Sequence, residues 1–182
     1  MDRERALKEL QARLTNDKFI RHSLAVEAIM RDLAALLRDN VELWGMTGLL
    51  HDIDYERTAG DPSKHSIIGA EILENLDFDP EIVYAVKAHN DLHGIGRKRK
   101  LDKALYCSDP ASWMIEACAE GLSSKQLSDV TADFVLNNMN DSSFAAELDR
   151  GRINTCIDLG ITLEEFIALS LDAMKKVLDQ RT

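Results

Sequence analysis

Five histidines stand at positions 22, 51, 65, 89 and 93 of this 182-residue chain, and one of them is followed directly by an acid in the pair His51-Asp52. Imidazole nitrogen and carboxylate oxygen together suit borderline divalent cations such as Fe, Mn, Co, Ni or Zn, whereas magnesium prefers oxygen alone. A single histidine on an apolar helical face is more often a hydrogen-bonded core residue than a ligand. Four that all face inward point instead to a metal site, because a helical bundle brings such faces to a common centre.

The spacing of apolar residues indicates which elements would position them. Over 17–38, Ile20, Leu24, Ile29, Leu33, Leu36 and Leu37 recur at helical intervals with Arg and Asp between them, which predicts an amphipathic helix with His22 on its apolar side. Residues 40–53 predict a second helix, apolar nearly all round at Val41, Leu43, Trp44, Leu49 and Leu50, and ending at His51-Asp52. Gly45 and Gly48 leave room there for a neighbour to approach closely. A polar loop follows over 55–64, after which His65, Ile68 and Ile72 share one helical face. Asp79-Pro80-Glu81 predicts a helix opening with a cap and a proline at the first position, and Ile82, Ala85, Val86 and His89 follow on one face.

Beyond a loop over 90–101 that holds two glycines, a helix is predicted over 101–120. Ser123-Ser-Lys-Gln126 can form a capping box for a helix reaching 138, and a further helix is predicted over 142–158. The last helix opens at Thr162, with Glu165 closing its box and Ile161 placed to staple onto Phe166. Trp44 and Trp113 are expected to fill the core. No repeat, low-complexity stretch or linker divides the chain, so one domain is expected over 1–182, with a metal-binding core at 17–120 and additional helices over 121–182.

Composition agrees with an all-α fold: 45% of residues are apolar, only 5% are aromatic, and Pro occurs three times. A formal net charge of -10 opposes attraction to nucleic-acid phosphates or anionic lipid, so neither is expected as a partner. Cys107, Cys118 and Cys156 form no C-x-x-C pair and read as reduced core or surface thiols. The first ten residues are charged where a signal peptide would be apolar, and no run is long enough for a membrane span, which predicts a cytoplasmic protein.

The order His22, His51-Asp52, Asp109 resembles the H...HD...D signature of HD-domain phosphohydrolases, and the helical reading of 17–120 fits that resemblance. His65, in a His-Ser-Ile-Ile-Gly-Ala stretch, and His89 look like the ligands that branches of the family use for a second metal. The resemblance is nearest to small HD hydrolases and more distant to the symmetrical diadenosine tetraphosphate hydrolases. It implies an HD-type helical bundle holding one or two divalent cations, the first on His22, His51, Asp52 and Asp109 and the second on His65 and His89, with Asp52 bridging. Asp109 has a second reading, since Asp-Pro also opens helices as a cap followed by proline.

Two cations roughly 3.5–4 Å apart can generate a hydroxide and clamp both phosphoryl oxygens during an in-line displacement. Asp52 would be the catalytic residue that holds them, and a metal-bound hydroxide would attack phosphorus in a phosphate ester or anhydride of a small, nucleotide-like substrate. Positive groups would neutralise the remaining phosphate oxygens. The candidates are Arg97, Lys98, Arg99 and Lys100, with Arg21 and Lys64 beside two proposed ligands. His93 either shares the face of His89 or lies in a loop before Gly94, supporting a ligand or facing substrate. Asp54 and Glu56 read equally as proton donors or as surface charge. The alternatives are a di-iron oxygenase of the HD type and a non-catalytic binding protein; monomer and homodimer both stay open.

Overall fold

The computed structural model describes residues 2–179, so the ends of the expected domain, Met1 and residues 180–182, lie outside the described residues. Among the described residues there are helices and turns and no strand, the all-α class expected from composition. The chain runs through α1 (Arg3–Gln11), α2 (Asp17–Leu37), α3 (Val41–Leu50), α4 (Tyr55–Thr58), α5 (Ile67–Asn75) and α6 (Pro80–Ala88). The second half holds α7 (Lys100–Gly121), α8 (Ala132–Met139), α9 (Arg150–Asn154) and α10 (Leu163–Leu178). No helix among the described residues is long and apolar enough to cross a membrane.

The starts of these helices follow from local chemistry. Asn16 accepts from the Lys18 N–H at the head of α2, and Asn40 does the same from Leu43 at the head of α3. Asp79 caps α6 with Pro80 in its first turn, as the spacing predicts. Thr162 and Glu165 form the expected reciprocal box on α10, with bonds of 2.9 and 3.2 Å. Helix α1 has no counterpart among the sequence expectations: Asp2 caps it, and Ala6 and Leu10 are fully buried on its inner face.

Helix α2 is the spine, packed on one side by α3 and on another by α10 and α7. Gly48 makes the α2–α3 contact close, because a Cβ there would lie 2.7 Å from the Val26 carbonyl oxygen and 2.9 Å from the Glu27 backbone. Helices α5 and α6 pair with one another, and α6 then packs against α3 and α7. Trp44 is buried in the core as expected.

Three stretches depart from the sequence reading. The 55–64 segment is not all loop, since α4 forms within it. Ser123 caps no helix, because Lys125 adopts φ 53°, in the left-handed region that interrupts a helix, and the true cap is Thr131, which accepts from Phe134 N–H. The helix expected over 142–158 is reduced to α9 and a 3₁₀ stretch at Thr155–Leu159. Its first half is instead a series of turns whose carbonyls point at one side chain: the Arg150 guanidinium donates to the carbonyls of Asn138, Met139, Asp141, Phe144, Ala145 and Leu148. A guanidinium has five N–H donors, so with one of them shared between two carbonyls it stands in for the backbone donors that a helix would have used.

Candidate metal centre

Four elements deliver the four histidines to one buried place. His22 lies in mid α2, His51 and His89 follow the last residues of α3 and α6, and His65 sits in the turn before α5. His51 and His89 are held by the same device: each ring folds back so that Nδ1–H donates to the carbonyl three residues earlier, Gly48 at 2.8 Å and Val86 at 2.6 Å. His22 Nδ1 lies 2.8 Å from Ser112 Oγ, and that hydroxyl donates in turn to the Asp109 carbonyl at 3.0 Å. Since the Ser112 proton is committed there, His22 Nδ1 must carry the proton it shares with Ser112.

In these three rings the proton is therefore fixed on Nδ1 and the Nε2 lone pair points into the centre. His22 Nε2 and His51 Nε2 are 3.1 Å apart, and His65 Nε2 and His89 Nε2 are 3.2 Å apart. Two bare lone pairs at 3.1 Å repel, so the arrangement calls for positive charge between them. Asp52 stands between the pairs, with Oδ2 at 3.6 and 3.4 Å from His22 and His51 Nε2 and Oδ1 at 3.3 and 3.5 Å from His65 and His89 Nε2. One carboxylate thus serves two triads, His22–His51–Asp52 and Asp52–His65–His89, each compact enough for a single cation. Asp109 Oδ1 joins the first at 3.4 Å from His22 and 3.9 Å from His51.

Electrostatics repeat the demand. Burial drives the His51 pKa down to about 4, which keeps the ring neutral and able to ligate. Burial also opposes charge on His65, but hydrogen bonds to Asp52 and Asp54 outweigh it and raise this imidazole to about 10, so a proton is held where a cation would sit. Burial alone would raise both Asp52 and Asp109. His51 and its neighbours hold Asp52 well below the usual carboxylate range, and His22 with the charge of Arg152 does the same for Asp109. The donor set, its geometry and its charge fit divalent cations.

Asp109 and Pro110 do not open a helix; they lie inside α7. Proline has no N–H, so the carbonyl of Tyr106 one turn earlier is left without its helical partner. Arg152, on α9, uses this notch: Nη2 donates to the Tyr106 carbonyl at 3.4 Å and to Asp109 Oδ2 at 2.8 Å, and its guanidinium packs 4.5 Å from the Tyr106 ring. Among the described residues Arg152 is the one lysine or arginine lining the metal cavity, which has a volume of about 290 Å³. Nothing in the sequence marked it, because no histidine and no motif stands beside it in the stretch over 142–158.

The other residues singled out from sequence are placed as follows. Asp54 is buried and supports a ligand, accepting from His65 Nδ1–H at 3.0 Å and from the N–H groups of Ser66 and Gly69 at 2.9 and 2.8 Å. Glu56 is turned away and accepts from Thr15 and Asn16. His93 Nε2–H donates to the His65 carbonyl at 2.7 Å, fixing the turn that carries that ligand. Arg97 pairs with Asp91 at 3.0 Å and packs on the outer side of Tyr106, Lys98 and Arg99 lie over Tyr84, and Lys100 begins α7. Arg21 pairs with Glu116 and Lys64 with Asp61. None of these six cations lines the metal cavity. Trp113 is not core filling: it is half-buried at the cavity wall, stacked on His22 with centroids 4.2 Å apart.

The sequence matches the HD domain family over residues 19–122. Among curated relatives, an uncharacterized protein of Methanocaldococcus jannaschii is 36% identical over 94 residues, 49% of this chain and 54% of that protein. Ribonuclease Y of Lawsonia intracellularis is 35% identical over 75 residues, 41% of this chain and 14% of the relative. Ribonuclease Y of Treponema denticola is 33% identical over 88 residues, 48% and 17% of the two chains. The chain therefore spans about half the length of the first relative and under a fifth of the other two. No solved structure matches. The family match covers more than half of the chain and contains both triads with Asp109, and the protein is accordingly a member of the HD-domain family.

Proposed function

We propose that this protein is a metal-dependent phosphohydrolase that cleaves a small phosphate ester. The observation that carries the reading is the division of the Asp52 carboxylate between two histidine pairs, beside a cavity whose only lining lysine or arginine among the described residues is Arg152. His22, His51, Asp52 and Asp109 would hold one divalent cation, and Asp52, His65 and His89 a second. Such cations supply Lewis-acid polarisation of phosphoryl oxygens and lower the pKa of a coordinated water.

The chain's own residues do the rest. Arg152, anchored through Nη2, has further guanidinium N–H groups to place against a phosphoryl oxygen, where a charge-assisted bond is about twice as strong as a neutral one. Burial, with Asp52 and Asp109 nearby, raises the Tyr55 phenol and keeps its proton in place as a donor at the cavity wall. Trp113, stacked on His22, narrows the access of water to that ligand. The ribonuclease Y relatives are named for RNA, also a phosphodiester, but the acidic balance of this chain supports a small substrate instead.

The test is elemental analysis of purified protein beside Asp52→Ala, with phosphate release measured over a panel of phosphate esters. The expected result is a pair of divalent cations per chain, lost in the variant together with phosphate release. Protein that binds no metal and stays inactive after addition of Mn or Fe, or one that consumes oxygen without releasing phosphate, would overturn it.

A further inference from the structure

The metal cavity does not end at its own walls. Tyr55, Trp113, Glu147 and Leu148 line it and also line a second cavity of about 340 Å³, which reaches outward past Lys18, Phe19, Glu116 and Glu120. Four shared wall residues make the two spaces an inner and an outer chamber of one cleft.

Their chemistry differs. The inner chamber is lined by His65, His89, Asp52, Asp109 and Arg152. The outer chamber is walled by rings: Phe19 and Tyr55 lie 4.7 Å apart and tilted by 52°, and Trp113 is fixed in orientation by its stack on His22, with planes 16° apart. Aromatic walls at this spacing favour a flat ring, which stacks on them with little loss of freedom. The outer chamber's polar groups are mostly acceptors. Glu116 is tied to Arg21 at 3.3 Å and Lys18 lies 5.1 Å over the Trp113 ring. Glu120 and Glu147 are exposed at the chamber and have no hydrogen-bond or ion-pair partner among the described residues.

Building on the phosphohydrolase reading, we propose that the outer chamber is the subsite for the alcohol portion of the substrate, and that it takes a flat heteroaromatic ring carrying amino donors. Ionised carboxylates only accept, so an amino group on the ring is matched, and a carbonyl at the same place faces like-signed oxygen. A second phosphate extended into this chamber would meet three carboxylates, Glu116, Glu120 and Glu147, against the single cation Lys18, so the substrate is a monoester rather than a polyphosphate or a dinucleotide.

Cytidine and uridine are suitable probes, since they carry no phosphate and differ by an amino group against a carbonyl on the same ring. Each is titrated into the protein as purified while tryptophan fluorescence is followed; Trp113 faces the chamber, and the core residue Trp44 is a constant background. Cytidine is expected to quench at concentrations about tenfold lower than uridine, the size of one charge-assisted hydrogen bond. Glu120→Ala/Glu147→Ala, a change at exposed positions, is expected to abolish that preference. Equal binding of the two nucleosides, quenching by neither, or a preference that survives the double substitution would overturn the proposal. Hydrolysis is read separately: selective cytidine binding without phosphate release from cytidine monophosphate removes the hydrolase reading and leaves the subsite, whereas phosphate release without nucleoside selectivity removes the subsite alone.

Discussion

The buried carboxylate of Asp54 accepts one bond from the His65 ring and two from the N–H groups of Ser66 and Gly69 at the start of α5. It orients a ligand and satisfies a helix end at once, and Ser66 is held at φ 69°, in the left-handed region a serine seldom adopts. Outer-shell partners of this kind are typically worth about 10–100-fold in metal affinity. Asp54→Ala is therefore expected to weaken the His65–His89 cation by that factor while sparing the His22–His51 one, which competition with a graded chelator resolves. Arg152→Ala is expected to lower kcat/KM by about 10–100-fold, the range for one hydrogen bond to a charged group, with Arg152→Lys restoring part of it. Metal content serves as the control in both variants. The histidines and Asp52 were legible in the sequence because residue type and inward-facing position suffice to single them out. Asp54 and Arg152 were not, since an acid after a ligand, or an arginine far in sequence from any ligand, looks the same whether it faces water or the site.

Helix ends were legible where a short-range pattern decides them, as at Asp79-Pro80 and at Thr162 with Glu165. They were not where a distant side chain competes, as when Arg150 gathers carbonyls from Asn138 to Leu148 and the expected helix over 142–158 does not form. Arg150→Ala would leave those carbonyls to water. The expected outcome is faster proteolytic cleavage between 140 and 149 with metal content unchanged. Gly48 carries the opposite kind of constraint, because the backbone of α2 leaves no room for a methyl group. Gly48→Ala is expected to destabilise the protein by about 2–3 kcal/mol through overpacking, seen as a lower denaturant midpoint with an unchanged slope. It should also shift the carbonyl that holds His51, so metal affinity is expected to fall with it.

At the scale of the whole molecule, the centre is assembled from segments nearly ninety residues apart in sequence, His22 and Asp109 among them. Such ligands are together only in the folded chain, so cations bound there stabilise it by mass action. One cation at a hundredfold excess over its Kd adds about 2.7 kcal/mol, which in a chain of this size corresponds to roughly 5–10 °C in Tm. Chelation is expected to lower the melting temperature by at least that much, and a scan that does not move would show the histidine cluster to be structural. Every proposed ligand lies within the span matched to the family, whereas Glu147, Asp149 and Arg152 at the mouth come after it. Part of the cleft wall is thus supplied by a stretch that carries none of the proposed ligands. Varying Glu147 and Leu148 while Arg150 and Arg152 are kept is a route to a new substrate preference that leaves the machinery for breaking the bond as it stands.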